Sequence, residues 1–301
     1  MKVANAPCSW GVLEFESTAR ATQPSQVLDE IAATGYAGTE LGDWGFFSTD
    51  SRQLRDDLVR RRLSLAGAFV PVALSDRSAH ARGEAAAIRT ARLLAASSPS
   101  SDPAPLIVLS DATAAVPART ARAGRITASD GLDADAWSAL AAGAERIAIA
   151  VVEATGLETA FHPHCASYVE TAAEIEALMQ RTDPALLGLC VDTGHASYSG
   201  ADPVSLVSRY RDRIWHVHLK DCSPAAAARA RAEGWDYLTA IRHGLFCELG
   251  AGQVDFATVL QQLRAAGYGG WLVVEQDVLP SMGAPAESAA RNRRFLERMG
   301  L

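Results

Sequence analysis

The sequence has little that would point to a membrane, a secreted scaffold or a nucleic acid. Across 301 residues no apolar run reaches the roughly 18–20 residues that a membrane-spanning helix needs, so no membrane partner is expected. The five cysteines (Cys8, Cys165, Cys190, Cys222 and Cys247) are an odd number without a CxxC pair. That disfavours a disulfide framework and fits a reduced, cytoplasmic protein. The formal net charge of −7 disfavours a nonspecific grip on nucleic-acid phosphates. Residues 1–7 show no charged-then-apolar leader pattern. No early strand is followed by a Gly-rich phosphate turn, which weakens an open doubly wound sheet. No internal repeat or domain boundary stands out. What remains is 49% hydrophobic and 21% charged, the balance of a soluble globular chain. Its length suits one large α/β barrel or two ordinary domains.

Short apolar runs alternate with alanine-rich helical stretches. Candidate strands are residues 3–7, 38–41, 65–71, 106–110, 158–161, 187–191, 214–219 and 271–275. Candidate helices are residues 25–34, 51–62, 79–96, 136–154, 171–181, 203–211, 256–266 and 287–299. Thr171 precedes Glu174 at the spacing of a capping box, and Asp202-Pro203 puts an acceptor before a first-turn proline. Gly35 and Gly267 stand where helices end before a strand. Eight strands alternating with helices predict a single-domain (β/α)₈ barrel spanning residues 1–301. Residues 111–132 and 223–252 break the rhythm and are expected to wall the catalytic face.

Polar residues end four successive strands: Phe161-His162-Pro163-His164, Asp192-Thr193-Gly194-His195, His216-Val217-His218-Leu219-Lys220-Asp221, and Glu275 after Trp271-Leu272-Val273-Val274. In a parallel barrel these positions converge on one rim. Imidazole and carboxylate donors suit a borderline-to-hard divalent ion: Mn, Co, Zn or Fe(II). Each residue also has a plainer reading. The His-Pro-His pair is compatible with ordinary loop hydrogen bonds, Asp192 with a turn cap, and His216 with the core. His218, nearer the rim, is the better ligand. Glu275 is a buried carboxylate that needs a cation or hydrogen bonds. Lys220, Glu275 and His195 are candidate proton movers. Glu40, at the second strand's end, is a candidate for substrate contact, as are Trp10, Trp44 and His164. Phe46 and Phe47 extend that aromatic wall. Arg119, Arg122 and Arg125 are the one group able to offer a phosphate site.

On these residues the chain resembles the xylose-isomerase-like TIM-barrel superfamily of sugar isomerases, epimerases and dehydratases. The segment Ala6-Pro7-Cys8-Ser9-Trp10-Gly11-Val12, together with the VDTGH and HxHLKD segments, is similar to inosose (2-keto-myo-inositol) dehydratases. The resemblance implies one divalent ion held by His162, Asp192, His218 and Glu275. Many members carry Glu at the fifth-strand position, so here that slot falls to His162 or His164. It also implies α-proton abstraction from a keto-sugar or keto-inositol, and association into dimers or tetramers. Dehydration, isomerisation or epimerisation of a ketose, and lysis of a 3-keto-glycoside share this first step. A non-catalytic sugar-binding barrel is the alternative outside the enzymes. Multi-zinc apurinic-site endonucleases of the superfamily need histidines at the third and fourth strand ends. Here those ends read Ala68-Phe69-Val70-Pro71 and Val108-Leu109-Ser110-Asp111.

Overall fold

The computed structural model describes residues 1–13, 22–98, 102–279 and 282–301. Its strands are β1 (Lys2–Asn5), β2 (Gly38–Glu40), β3 (Ser64–Val72), β4 (Leu106–Asp111), β5 (Thr159–Phe161), β6 (Gly188–Asp192), β7 (Ile214–Leu219), β8 (Asp221–Cys222), β9 (Phe246–Cys247) and β10 (Trp271–Val274). Its helices are α1 (Pro24–Ala33), α2 (Ser51–Arg61), α3 (His80–Ser97), α4 (Pro117–Arg122), α5 (Ala134–Thr155), α6 (Ala172–Arg181), α7 (Thr193–Ser199), α8 (Pro203–Tyr210), α9 (Pro224–Glu233), α10 (Tyr237–Arg242), α11 (Phe256–Ala265) and α12 (Pro285–Arg298).

A closed parallel barrel runs β1-β10-β7-β6-β5-β4-β3-β2, as the alternation predicts. The barrel strands are short and buried on both faces, with β4, β6 and β10 buried at every position. This explains why they read as apolar runs and not as alternating ones. Helix starts follow their caps. Thr171 and Glu174 form the reciprocal capping box of α6, and Asp202 accepts from the first amides of α8 ahead of Pro203. Gly143 on α5 lets α3 approach, since a Cβ there would meet His80 Nε2 at 2.5 Å.

The eight strand positions agree with the sequence reading to within two residues, but the two irregular stretches hold more structure than expected. The β4–α5 connection contains α4, and the long connection after β7 contains α9, α10 and the small antiparallel pair β8–β9. The helix α9 buries only alanines, Ala226, Ala227 and Ala230, so it carries no apolar period to read. Ala123, Ala230, Tyr237 and Phe246 from these connections gather with Tyr198 of α7 and Leu279 after β10 into an apolar cluster of their own.

The β4–α5 connection is tied down by a buried ion pair. Arg119 is 1% exposed and donates to Glu174 Oε1 at 2.8 Å, to Glu174 Oε2 at 2.9 Å and to the Ser167 carbonyl at 2.9 Å. Removing one partner strands a buried charge. Arg119→Met is therefore expected to lower unfolding free energy by about 3–5 kcal/mol, and Arg119→Met with Glu174→Met by clearly less. Denaturant titration of the three proteins checks this; equal losses in the single and double variants would contradict it.

Candidate metal centre

Four strand ends bring together His162, Asp192, His218 and Glu275, each buried or nearly so. One ligand atom from each lies within 4.8 Å of the other three. Each is fixed by its own strand. His162 donates its backbone N–H to Leu109 O at 2.7 Å, and its carbonyl accepts from Ser110 Oγ at 2.9 Å, so β4 holds it from both sides. Asp192 pairs with His218 in register. Its Oδ1 accepts from Gly194 N and His195 N at 2.8 Å each, capping α7. The cap reading of Asp192 and the site reading are thus both realised, one on each oxygen. Oδ2 lies 3.5 Å from His162 Nε2 and 3.7 Å from His218 Nδ1. Glu275 Oε2 lies 3.3 Å from His218 Nδ1, and the Glu275 N–H donates to Leu219 O.

The chemistry of the donor set fits a divalent ion. Buried side-chain atoms without a hydrogen-bond partner include His162 Nδ1 and Nε2, Asp192 Oδ2 and His218 Nδ1. Buried polar atoms are nearly always partnered, so three orphans from three residues, His162 Nε2, Asp192 Oδ2 and His218 Nδ1, lying together mark a candidate place for a cation. Behind this set, Glu40 Oε1 accepts from His218 Nε2 at 3.0 Å and from His216 Nε2 at 2.8 Å. The bond turns His218 so that Nδ1 faces the cluster, as carboxylates behind ligating histidines do. Burial would raise the Glu40 carboxyl, but His218 and His216 overrule it and hold it below its usual range. His216 lies one layer deeper, level with Cys190.

Lys220 adjoins the cluster. Its ammonium lies 3.0 Å from Glu275 Oε2, 3.0 Å from Asp277 Oδ1, 3.5 Å from Asp192 Oδ2 and 3.1 Å from His195 Nε2. Burial alone would discharge it; Asp192, Asp277 and Glu275 reverse that and hold its pKa above the usual lysine range. Tyr237 Oη donates to Asp277 Oδ2 at 3.2 Å, linking α10 of the separate apolar cluster to this network. His195 accepts from Cys165 N–H on Nδ1 at 3.3 Å, and its ring lies against His164 with centroids 3.9 Å apart and planes tilted by 41°. Burial, with Lys220 and the neighbouring histidines, keeps both rings neutral.

A cavity opens onto these groups, its wall including Cys8, Glu40, Asp43, Phe69, His164 and Lys220 together with His162, His218, Glu275 and Asp277. For the fifth-strand slot, His162 joins the four-atom cluster and His164 forms wall, its Nδ1 paired with Cys165 O. Two expected substrate contacts are not brought there. Trp10 is buried in the turn after β1, where its Nε1 donates to Glu30 Oε2 on α1 at 2.6 Å. Trp44 points outward, with the Arg89 guanidinium 4.0 Å over its ring. Phe46 and Phe47 pack on each other in the core. Arg119, Arg122 and Arg125 are also elsewhere: Arg122 pairs with Asp130, and Arg125 donates to Ala230 O and Trp235 O. Asp277 was missed by sequence reasoning. Its signal was the i, i+2 spacing from Glu275, which puts both on one side of extended chain.

The β5–α6 connection behind His164 is strained and holds a buried acid. Ala166 and Val169 adopt φ of 67° and 66°, costly for residues with a Cβ. Glu170 accepts from Gly124 N at 2.6 Å and Ala166 N at 3.0 Å. Burial pushes its pKa up to about 7 from 4.5, against those two amides and Arg119. A carboxyl with a raised folded pKa stabilises the fold while protonated. That contribution is complete below pH 4.5 and is lost as pH rises through about 7. Stability is expected to fall by on the order of 1–3 kcal/mol across that window, and Glu170→Gln should flatten the fall. Parallel pH–denaturant series would check it; identical slopes would refute it.

Similar proteins agree with this architecture. The family model described as "Xylose isomerase-like TIM barrel" matches residues 28–299. The inosose dehydratase of Geobacillus kaustophilus is 34% identical over 305 residues, covering 99% of this chain and 94% of that protein. The inosose dehydratase of Lacticaseibacillus casei is 30% identical over 292 residues, covering 97% and 95%. Among solved structures, a D-allulose 3-epimerase from Methylomonas sp. superposes with a TM-score of 0.70 at 16% identity, covering 99% of this chain and 98% of that one. A 3-keto-D-glucoside 4-epimerase from E. coli superposes with 0.66 at 16% identity, covering 100% and 99%. With its closed eight-stranded barrel and a family match over most of its length, the chain belongs to the xylose isomerase-like TIM-barrel family.

Proposed function

We propose that this sugar-modifying enzyme is a divalent-metal-dependent dehydratase of a neutral cyclic keto-polyol, with 2-keto-myo-inositol as its substrate. The observation that carries the reading is a proton acceptor and a proton donor held 3.0 Å apart, Glu275 Oε2 and Lys220 Nζ, in a cavity beside the four-residue cluster. The full-length similarity to proteins named inosose dehydratase supports this choice of reaction. The cavity's charge supports the choice of substrate. Its wall carries Glu40, Asp43, Glu275 and Asp277 against one lysine, a field that repels phosphate and carboxylate groups.

His162, Asp192, His218 and Glu275 would hold the ion. Bound there, it supplies an electrophile that polarises a ketone oxygen and acidifies the neighbouring C–H. The remaining work falls to the chain. Glu275 is the acceptor of the α proton, because it lines the cavity and has no proton to give. Of the other candidates, Lys220 is a donor and His195 is turned toward Lys220. As the β C–O bond breaks, the departing oxygen takes a proton from the Lys220 ammonium and leaves as water. The proton on Glu275 then returns to Lys220 across their 3.0 Å contact, restoring both groups. Glu40 keeps His218 oriented, and Asp277 with Tyr237 holds Lys220 in reach. His164, Phe69 and the residues after β1 shape the wall and limit water.

The test is metal analysis followed by incubation with 2-keto-myo-inositol in D₂O after loading with Mn or Co. The expected result is about one ion per chain, deuterium exchange at the α carbon, and loss of water. Exchange without water loss would turn the reading toward an isomerase or epimerase. A metal-loaded protein that neither exchanges nor dehydrates a panel of neutral keto-polyols would refute it. Asp192→Asn, which keeps the helix cap through its amide oxygen, is expected to bind metal at least about 10-fold more weakly and to lose activity by a larger factor.

A further inference from the structure

The ammonium of Lys220 is enclosed as a metal ion would be. Three carboxylates and an imidazole face it, at 3.0, 3.0, 3.5 and 3.1 Å from Glu275, Asp277, Asp192 and His195. Cys8 completes the surroundings: its thiol and one oxygen each from Glu275 and Asp277 lie within 4.8 Å of one another. This is a second set of O and S donors adjoining the first, and Glu275 belongs to both. The buried, unpartnered Asp192 Oδ2 lies 3.5 Å both from Lys220 Nζ and from His162 Nε2, facing the two positions at once. The backbone has been cleared for the lysine. At Gly194 a Cβ would stand 2.5 Å from Lys220 Cγ and 2.8 Å from its Cβ.

We infer that Lys220 is a built-in counter-cation occupying a second cation position beside the metal centre, and that its presence limits the centre to one divalent ion. The inference rests on the metal reading above. Buried charges must be compensated close by. Asp192, Glu275 and Asp277 form a triad of buried carboxylates that one divalent ion bound on one side leaves under-compensated. A tethered ammonium supplies the missing charge without a diffusible ion. It also repels a second divalent ion from the same oxygens. Without the amine, the donor set left behind suits Mn or Zn, and shared carboxylates would hold the two ions at roughly the 3.5–4 Å spacing of two-metal sites.

Equilibrium dialysis of the full chain against Mn²⁺ and, separately, Zn²⁺ tests this, with circular dichroism to confirm folding. About one ion per chain is expected for the wild type and for Lys220→Arg, about two for Lys220→Ser, and about one again for Lys220→Ser with Asp277→Asn. The two-manganese form should also show a spin-coupled paramagnetic resonance signal that the wild type lacks. A folded Lys220→Ser that takes up one ion or none while the wild type takes one would overturn the inference and leave the metal centre standing. A wild type that binds no ion would remove the metal centre itself. If Lys220→Ser does not fold, Gly194→Ala displaces the lysine stem without touching a donor atom. It should admit the second ion at higher metal concentration, and its failure to do so at saturating Mn²⁺ would likewise overturn the inference.

Discussion

Buried charge is the constraint on which the upper half of this barrel depends. Glu40, Asp192, Glu275, Asp277 and Lys220 are each at most 9% exposed, within a cluster of buried histidines. An uncompensated charge in such surroundings costs several kcal/mol. Each carboxylate is therefore answered by something specific: Glu40 by two imidazoles, Asp192 Oδ1 by two amides at a helix start, Asp277 by a lysine and a tyrosine. Among the buried atoms left unanswered are His162 Nε2, Asp192 Oδ2 and His218 Nδ1, which meet at the proposed metal position.

The same constraint explains how few residues need to be catalytic in the direct sense. A short helix, α7, fixes Asp192 by its cap and leaves Gly194 beside the lysine stem. A strand from the far side of the barrel contributes Glu40, which sets the ring of His218 from behind. Positioning is thus distributed over β2, β6, β7 and β10, while the proposed chemistry is concentrated in a few atoms at one rim, the usual division of labour in barrels of this type.

The barrel and the four-residue cluster proposed to hold the metal were legible in sequence for one physical reason. A strand buried on both faces must be apolar, so a polar residue at its end stands out, as His162, Asp192, His218 and Glu275 do. The signal fails where that contrast is missing. Asp277 sits beyond a strand end, separated from the apolar run by Glu275 and Gln276. Trp10 and Trp44 were read as wall because aromatics often line sugar pockets, yet an indole serves equally well as a core plug with one hydrogen bond, or as a platform for an arginine. The helix α9 was hidden because its buried residues are all alanines in an alanine-rich segment, which carries no apolar period. Arg119 looked like a phosphate ligand and is the buried partner of Glu174, a long-range contact with no local trace.

The apolar cluster formed by Tyr198, Tyr237, Phe246 and their neighbours is separate from the main core. Tyr237 of this layer reaches the rim, donating to Asp277 beside Lys220. A layer packed apart from the main core can open locally at a free energy below that of global unfolding, so its loosening releases the far end of that hydrogen-bonded chain while the strand ends stay in register.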